Sequence, residues 1–345
     1  MNLLIKGIYT LIIAFVLCIF VCPVLIPFLH RLKFGQTVRD DGPHTHLQKT
    51  GTPTMGGLAF LAAFVLSAIF AILIASVVGY FMLSQGKNDL WHGTQVEIAR
   101  YWGTILLAVS FGIIGFVDDY IKVVKKRSLG LKPMQKIIGQ LIICVLFMVY
   151  LNKSGVGTEI YIPFTGGKTW DLGILFIPFC IIAVLATVNG VNLTDGLDGL
   201  ADGVTLIVCV FFTMCAYAAG NGIVTAGGAM IGGLLAFLIF NAYPAKVFMG
   251  DTGSLALGGF IVACAFILKM PLFILIAGII YVVETLSVAI QVTVYKKTKK
   301  RVFKMAPLHH HFELSGWSET KVVTLFYVIT AIACLVAFLG AQNIF

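Results

Sequence analysis

The chain has 345 residues, of which 59% are hydrophobic and only 11% charged, with a net charge of +9 and a mean hydropathy of +0.99. Water-soluble domains carry about 25% charged residues. An apolar excess of this size cannot be enclosed in a soluble fold of this length. That excludes soluble enzymes and binding modules and leaves lipid as the solvent.

In chain order, apolar runs fall at about 7–29, 55–84, 101–117, 137–151, 172–188, 203–219, 223–240, 255–268, 271–295 and 322–342. A helix needs roughly 20 residues to cross the hydrocarbon layer. The fourth and eighth runs are short, and a re-entrant course stays open for either. The first run lacks a small-residue cleavage site and reads as a retained span rather than a signal peptide. The eight cysteines (Cys18, Cys22, Cys144, Cys180, Cys209, Cys215, Cys264, Cys334) all lie in apolar runs with no C-x-x-C pair, so they read as small buried hydrophobes. The pattern predicts an all-α, polytopic protein of one domain over 1–345, without internal repeats.

Lysine and arginine supply a test of the count, because cytoplasmic loops collect them. With ten spans, 18 of the 24 fall on the side of the odd-numbered loops, among them Arg31, Lys33, Arg39, Lys125, Lys126, Arg127 and the "KKTKKR" tail of the ninth run. The other side keeps Lys6, Lys87, Arg100, Lys153, Lys168 and Lys269. Ten transmembrane helices with both termini extracytoplasmic is therefore the expected topology. Every polar constellation then lies at the cytoplasmic face, where the active site is expected. The "KKTKKR" tail reads most simply as a topogenic signal drawn to lipid headgroups.

The constellations follow the same order. "KTGTPTMGG", 49–57, brings Lys49 and Thr54 to the second span, without the spacing of a nucleotide P-loop. "GFVDDYIKVVKKR", 115–127, sets Asp118 and Asp119 at a helix C-terminus, where the dipole is already negative. One reading is an Asp118–Lys122 pair with a solvated Asp119. The other is a carboxylate pair that docks a metal–phosphate complex. "TVNGVNLTDGLDGLADG", 187–203, reads as an interhelical turn or as a polar ligand pocket; it holds Asn189, Asn192, Asp195, Asp198 and Asp202 with no basic residue. "VFMGDTGSLALGG", 247–259, offers Asp251, Thr252 or Ser254 as a helix cap, or a phosphate site at a helix N-terminus. Glu284 is an ionisable residue at membrane depth, either functional or paired at a helix break. "PLHHHFE", 307–313, fits no zinc-peptidase motif; its histidines suit phosphate or sugar contacts, with one ring as acid or base. Two classes fit these residues: a metal-dependent enzyme acting on a lipid-linked phosphate, or an anionic-solute transporter. A transporter would more often show paired half-repeats broken near the midplane, and the polar residues instead gather at one face.

"GTPTMGG", "FVDDYIKV", "NLTDGLDGLA", "NAYPAKVFMGDTGSLALGG" and "PLHHHFELSGWSE", in this order, closely resemble the phospho-N-acetylmuramoyl-pentapeptide transferase family. That family belongs to the polyprenyl-phosphate N-acetylhexosamine-1-phosphate transferase superfamily. The resemblance covers essentially the whole chain, and "TPTMGG" with "PLHHHFE" is specific to the muramoyl branch rather than to the sister GlcNAc-1-phosphate transferases. It implies that UDP-MurNAc-pentapeptide and undecaprenyl phosphate give lipid I and UMP with Mg²⁺, in the bacterial cytoplasmic membrane, for peptidoglycan synthesis. A homodimer is implied, and no nucleic-acid partner.

By the family's pattern Asp118, Asp119 and Asp251 are the catalytic carboxylates, and Asp251 is the metal ligand. Asn189 neighbours the pyrophosphate or the metal. Asp195, Gly196 and Asp198 form the uridine pocket, with Asn241 and Phe248 beside the nucleotide. Lys49, Thr54, Asn192, His309 and His310 contact the nucleotide-sugar side. Lys122 and Lys136 match basic positions of the family. The family's ninth helix is broken, which suits the long ninth run and Glu284. One-step displacement and a route through a phosphorylated aspartate both remain open.

Overall fold

A computed structural model of the protein describes residues 3–32, 49, 51–84, 88–124 and 130–345. Lys33, Arg39, Lys87, Lys125, Lys126 and Arg127, which enter the charge asymmetry, lie outside the described residues. Among the described residues, 10 helices are long and apolar enough to cross a membrane. They are α1 (Leu3–Arg31), α2 (Gly57–Ser84), α3 (Asn88–Val124), α4 (Pro133–Lys153), α5 (Phe176–Thr194), α6 (Leu200–Ala218), α7 (Ile223–Asn241), α8 (Gly250–Ile267), α10 (Ile279–Thr298) and α12 (Glu319–Gly340). Two short helices, α9 (Ile274–Ala277) and α11 (Leu308–Glu313), complete the set.

The short fourth and eighth runs form complete helices of 21 and 18 residues, so neither needs a re-entrant course. Apolar count underestimated both, because residues that are not apolar extend them, Gln135–Lys136 and Asn152–Lys153 in α4 and Gly250–Ser254 in α8. α8 is the axis of the bundle and is almost wholly enclosed, packed by α3, α5, α2 and α6. Its Gly-Ser-Leu-Ala-Leu-Gly-Gly stretch presents little side-chain bulk, and small residues let transmembrane helices approach closely. Aromatic edges fill the remaining space: Phe64 meets Phe260 at 5.6 Å and Phe147 meets Phe266 at 6.0 Å between ring centroids. Such pairs add to simple apolar burial. α1, by contrast, exposes Ile8, Ile12, Phe20, Val24 and Phe28. In lipid that face has nothing to hide from. All eight cysteines are buried and free.

The ninth run departs from a continuous helix. A 3-10 turn at Pro271–Phe273 leads into α9, the chain breaks at Gly278, and α10 then runs on to Thr298. The third helix starts earlier than its apolar run, at Asn88, although its membrane-compatible part begins at Arg100. The all-α expectation also misses a small antiparallel hairpin, β1 (Glu159–Tyr161) with β2 (Thr169–Asp171), in the loop before α5. Tyr161 there donates its N–H to the carbonyl of Lys269 at 2.7 Å, and Phe164 donates to Gly340 at 3.0 Å. The hairpin thereby covers the end of the bundle opposite the carboxylates described next.

Candidate active site

Asp118, Asp119 and Lys122 come from the last turns of α3, Lys136 from the first turn of α4, Asn192 from the last turn of α5, and Asp251 from the first turn of α8. Antiparallel neighbours bring all of these ends to one face. The ammonium of Lys122 is the hub: its Nζ lies 2.6 Å from Oδ2 of Asp118, 2.7 Å from Oδ2 of Asp251 and 3.9 Å from Oδ1 of Asp119. Lys136 adds a second cation, 3.1 Å from Oδ2 of Asp251 and 4.0 Å from Oδ2 of Asp118. Asn192 donates through Nδ2 to Oδ1 of Asp251 at 2.7 Å and to Oγ of Ser254 at 2.8 Å. The expected Asp118–Lys122 pair exists, and it is one edge of a larger network. Asp118 also accepts the backbone N–H of Leu131 at 2.6 Å.

Asp119 is not solvated. It is buried and accepts the N–H of Thr252 at 2.8 Å, the hydroxyl of Thr252 at 2.7 Å and the N–H of Asp251 at 3.2 Å. α8 is therefore capped across the helix interface by a residue of α3; its own Asp251, Thr252 and Ser254 do not cap it. Anions are favoured at a helix N-terminus, where unpaired amides and the helix dipole act together. Gly250, at φ 74°, lets this happen: a Cβ there would meet Oδ2 of Asp119 and Oγ1 of Thr54. Buried Thr54 is thus placed beside the carboxylates. Its segment is stitched to the α7–α8 loop, with Phe248 donating to Pro53 and Gly56 to Phe248, both at 2.8 Å.

The α5–α6 turn forms the second half of the site. α5 continues through Asn189 and Asn192, so the turn proper is only 195–199. Asp195 is half-buried there. Burial, together with the charges of Asp251, Asp119 and Asp198, pushes its carboxyl up to about 8, opposed by the N–H of Gly250. Asp198 faces Lys49 at 2.6 Å and accepts the N–H of Ala245 at 2.9 Å. Gly196 lies against the imidazole of His309. Asn241 accepts the N–H of Gly199 at 3.2 Å and donates to the carbonyl of Val247 at 2.9 Å, so it joins the turn to the α7–α8 loop. Asn189 points to α4, donating to Oε1 of Gln140 at 2.9 Å. Asp202 is fully buried in α6, with neither carboxylate oxygen hydrogen-bonded.

The histidines sit on α11. Glu284 accepts the N–H of Leu308 at 2.7 Å and of His309 at 3.2 Å, and its Oε2 lies 3.3 Å from Nδ1 of His309. Glu284 is thus paired, six residues beyond the break at Gly278. The rings of His309 and His310 are 4.2 Å apart, and His310 faces Glu313 at 2.8 Å. His311 turns away and accepts the N–H of Lys304 at 3.2 Å. The three rings do not converge.

Sequence reasoning overlooked Gln140 and Glu319. Gln140 carried a readable signal, an amide inside an apolar run, since a polar side chain in a membrane helix seeks a partner on another helix. Glu319 carried none.

The groups around Lys122 are carboxylate oxygens, of the kind a hard divalent cation takes, and three carboxylates already converge on one ammonium there. Asp251, with Asp118 beside it, has the donor chemistry that Mg²⁺ takes. Among the described residues no cluster of three or more His, Cys, Asp or Glu forms a ready-made cage.

Ten membrane helices with carboxylates and ammonium groups gathered at one helix-capped end define a polytopic membrane transferase, and residues 101–269 match the family described as Glycosyl transferase family 4. Residues 49–61 match the phospho-N-acetylmuramoyl-pentapeptide-transferase signature 1. Proteins named phospho-N-acetylmuramoyl-pentapeptide-transferase are similar over nearly the full length. The protein of Acetivibrio thermocellus is 52% identical over 338 residues, covering 97% of this chain and 95% of its own. That of Clostridium kluyveri is 49% identical over 338 residues (97% and 99%), and that of Thermoanaerobacter pseudethanolicus 47% over 337 residues (96% and 98%). The chain belongs to the phospho-N-acetylmuramoyl-pentapeptide transferase family.

Proposed function

We propose that the protein transfers phospho-MurNAc-pentapeptide from UDP-MurNAc-pentapeptide to undecaprenyl phosphate, giving lipid I and UMP. Full-length identity of about half to proteins of that name supports the reaction. The observation that carries the chemistry is the convergence of Asp118, Asp119 and Asp251 on Lys122 at the capped N-terminus of α8.

In this reading an oxygen of the lipid phosphate attacks the β-phosphorus of the nucleotide sugar. A new P–O bond forms, and the bond from the β-phosphorus to the bridging oxygen breaks, releasing UMP. Asp118 takes the proton of the lipid phosphate or holds that oxygen in line. Asp119 caps the N-terminus of α8 and so holds Asp251 in register with Asp118 and Lys122. Lys122 and Lys136 attract the diphosphate and hold Asp251 in place. When Mg²⁺ is bound by Asp251, it supplies charge neutralisation for the diphosphate and for the leaving UMP. Asp195, Gly196 and Asp198 hold the uridine, with Asn241 and Phe248 supporting that pocket. Lys49, Thr54, Asn192, His309 and His310 serve the nucleotide-sugar side, and Asn189 neighbours the pyrophosphate or the metal.

The excess of Lys and Arg in the odd-numbered loops supports an orientation with this face in the cytoplasm and both termini outside, in the bacterial cytoplasmic membrane. There a water-soluble nucleotide and a membrane-bound phosphate can meet. The enzyme acts as one membrane domain over 1–345 and assembles as a homodimer.

The test is UMP release by the purified protein with UDP-MurNAc-pentapeptide, undecaprenyl phosphate and Mg²⁺. Release that needs Mg²⁺ and the muramoyl substrate, and is lost in Asp251→Ala, is the expected result. Release with UDP-GlcNAc instead assigns the chain to the sister activity, and no release from a folded sample overturns the assignment.

A further inference from the structure

Glu319 opens α12, where an acid in the first turn ordinarily does no more than complement the helix dipole. Here its carboxylate is taken up by other segments. Oε1 lies 2.6 Å from Nζ of Lys49 and accepts the backbone N–H of Asp198 at 2.7 Å. Lys49 reaches Oδ1 of Asp198 at 2.6 Å as well, and Oδ2 of Asp198 accepts the N–H of Ala245. One carboxylate oxygen therefore ties together the approach to α2, the α5–α6 turn and the start of α12, and Asp198 extends the tie to the α7–α8 loop. The side chains are enclosed, at 14% exposure for Lys49, 3% for Asp198 and 9% for Glu319. An enclosed, charge-assisted network of this kind is screened little by salt and is stronger per bond than its surface equivalent.

Lys49 is pulled by two carboxylates from two different elements, and that fixes where its ammonium sits. Without Glu319 it would follow Asp198 alone. The N–H of Asp198 would lose its acceptor at the same time, and the 195–199 turn would lose its anchor to α12. The Lys122 hub would keep every one of its own contacts, because none of them involves Glu319.

We infer that Glu319 is a positioning residue for the nucleotide-sugar substrate, acting through Lys49 and the α5–α6 turn. This rests on the proposed assignment of Lys49, Asp195 and Asp198 to the nucleotide side. It separates the two substrates: the nucleotide sugar depends on the tie, and the lipid phosphate, which reacts at the Lys122 hub, does not.

The experiment measures kcat and the KM of each substrate separately, with thermal melts, for the full-length protein and for Glu319→Gln, Glu319→Asp, Lys49→Met and the Lys49→Met/Glu319→Gln double variant. The glutamine keeps an acceptor for the Asp198 amide and removes only the charge. Glu319→Gln is expected to raise the nucleotide-sugar KM by about tenfold, with kcat and the lipid-phosphate KM within about twofold. Glu319→Asp should recover part of the loss. The double variant should be no worse than Lys49→Met, because both changes break the same contact. A shift of both KM values together, a loss of kcat alone, or additive effects in the double variant overturns the inference. Lys49→Met raising the nucleotide KM while Glu319→Gln leaves it unchanged also overturns it, with the assignment of Lys49 intact. No change in Lys49→Met removes the assignment itself, and the inference with it.

Discussion

Asp119 of α3 accepts both the backbone N–H and the hydroxyl of Thr252, in the first turn of α8. One helix of the bundle thus supplies the N-terminal cap of another, and the capped end carries Asp251. Local capping residues are worth about 0.5–2 kcal/mol. Asp119→Ala, which leaves buried amides without an acceptor, should lower stability by about 1–3 kcal/mol. Asp119→Asn keeps an acceptor and should cost less than half of that. Thermal unfolding of the two variants beside Thr252→Val gives the comparison. Equal melting temperatures for all three would mean that the cap contributes nothing.

The proposed reaction puts the substrates' phosphates beside Asp118 and Lys122. Asp118→Asn preserves shape and removes a charge and a base, so turnover at saturating substrates should fall about 10²–10⁴-fold, the range for a lost general base. Near-normal UMP release would take Asp118 out of the chemistry. Among the described residues, Lys122→Met leaves Lys136 as the cation beside Asp118 and Asp251. It should lower turnover, with Lys136 and Asn192 left to hold Asp251; unchanged UMP release would take Lys122 out of the chemistry.

The membrane helices were legible in the sequence because hydropathy is a local property, readable in a window of twenty residues. The break at Gly278 was less so, since apolar side chains run through it on both sides. Asp118 and Asp251 stood out as acids in greasy surroundings, yet the burial of Asp119 did not, because its partner Thr252 lies 133 residues away. The same holds for Glu319 and Lys49, separated by 270 residues. Such contacts follow from which helix ends meet, and no local period records that. Asn241, set beside the nucleotide by the family resemblance, likewise has partners that no local pattern records, in Gly199 and Val247.

Glu284 carries α11, and with it His309. Its carboxylate serves two amides, so Glu284→Ala should uncouple α11 from α10 and cost about 1–3 kcal/mol per amide left buried and unpaired. Glu284→Gln offers one carbonyl oxygen and should retain part of the stability. Both should reduce turnover in proportion to how far His309 is displaced. Hydrogen exchange at Leu308 and His309 is the direct check: protection should fall in the alanine variant, and unchanged protection would place the hold on α11 elsewhere.

Gly115 sets the distance between α3 and α8. A Cβ there would fall on the backbone carbonyl of Asp251 and the amide of Thr252, which are main-chain atoms with no rotamer to yield. Gly115→Ala should therefore spread the two helices. Overpacking of this kind typically costs 1–3 kcal/mol. Because the Asp119–Thr252 bonds cross the same gap, activity should fall further than stability does. A variant with normal turnover and normal melting would show that the helices can slide apart without cost.

Asp195 gives the site a pH dependence whose sign can be worked out. Burial, Asp251, Asp119 and Asp198 hold its carboxyl up to about 8, against an ordinary value of 3.8. A carboxyl raised on folding contributes stability that is present below its ordinary value and is lost as pH rises through the folded one. The loss should therefore fall between about pH 4 and pH 8, and Asp195→Asn should remove that slope. While protonated the group can donate a hydrogen bond. Above pH 8 it becomes a fourth anion beside Asp119, Asp198 and Asp251, facing a substrate that carries a diphosphate. The affinity for UDP-MurNAc-pentapeptide should then weaken with a midpoint near 8, while that for undecaprenyl phosphate follows no such curve. The check is kcat/KM for each substrate from pH 6 to 9.5 in wild type and in Asp195→Asn. An inflection near 8 that survives the substitution would assign the titration to another group.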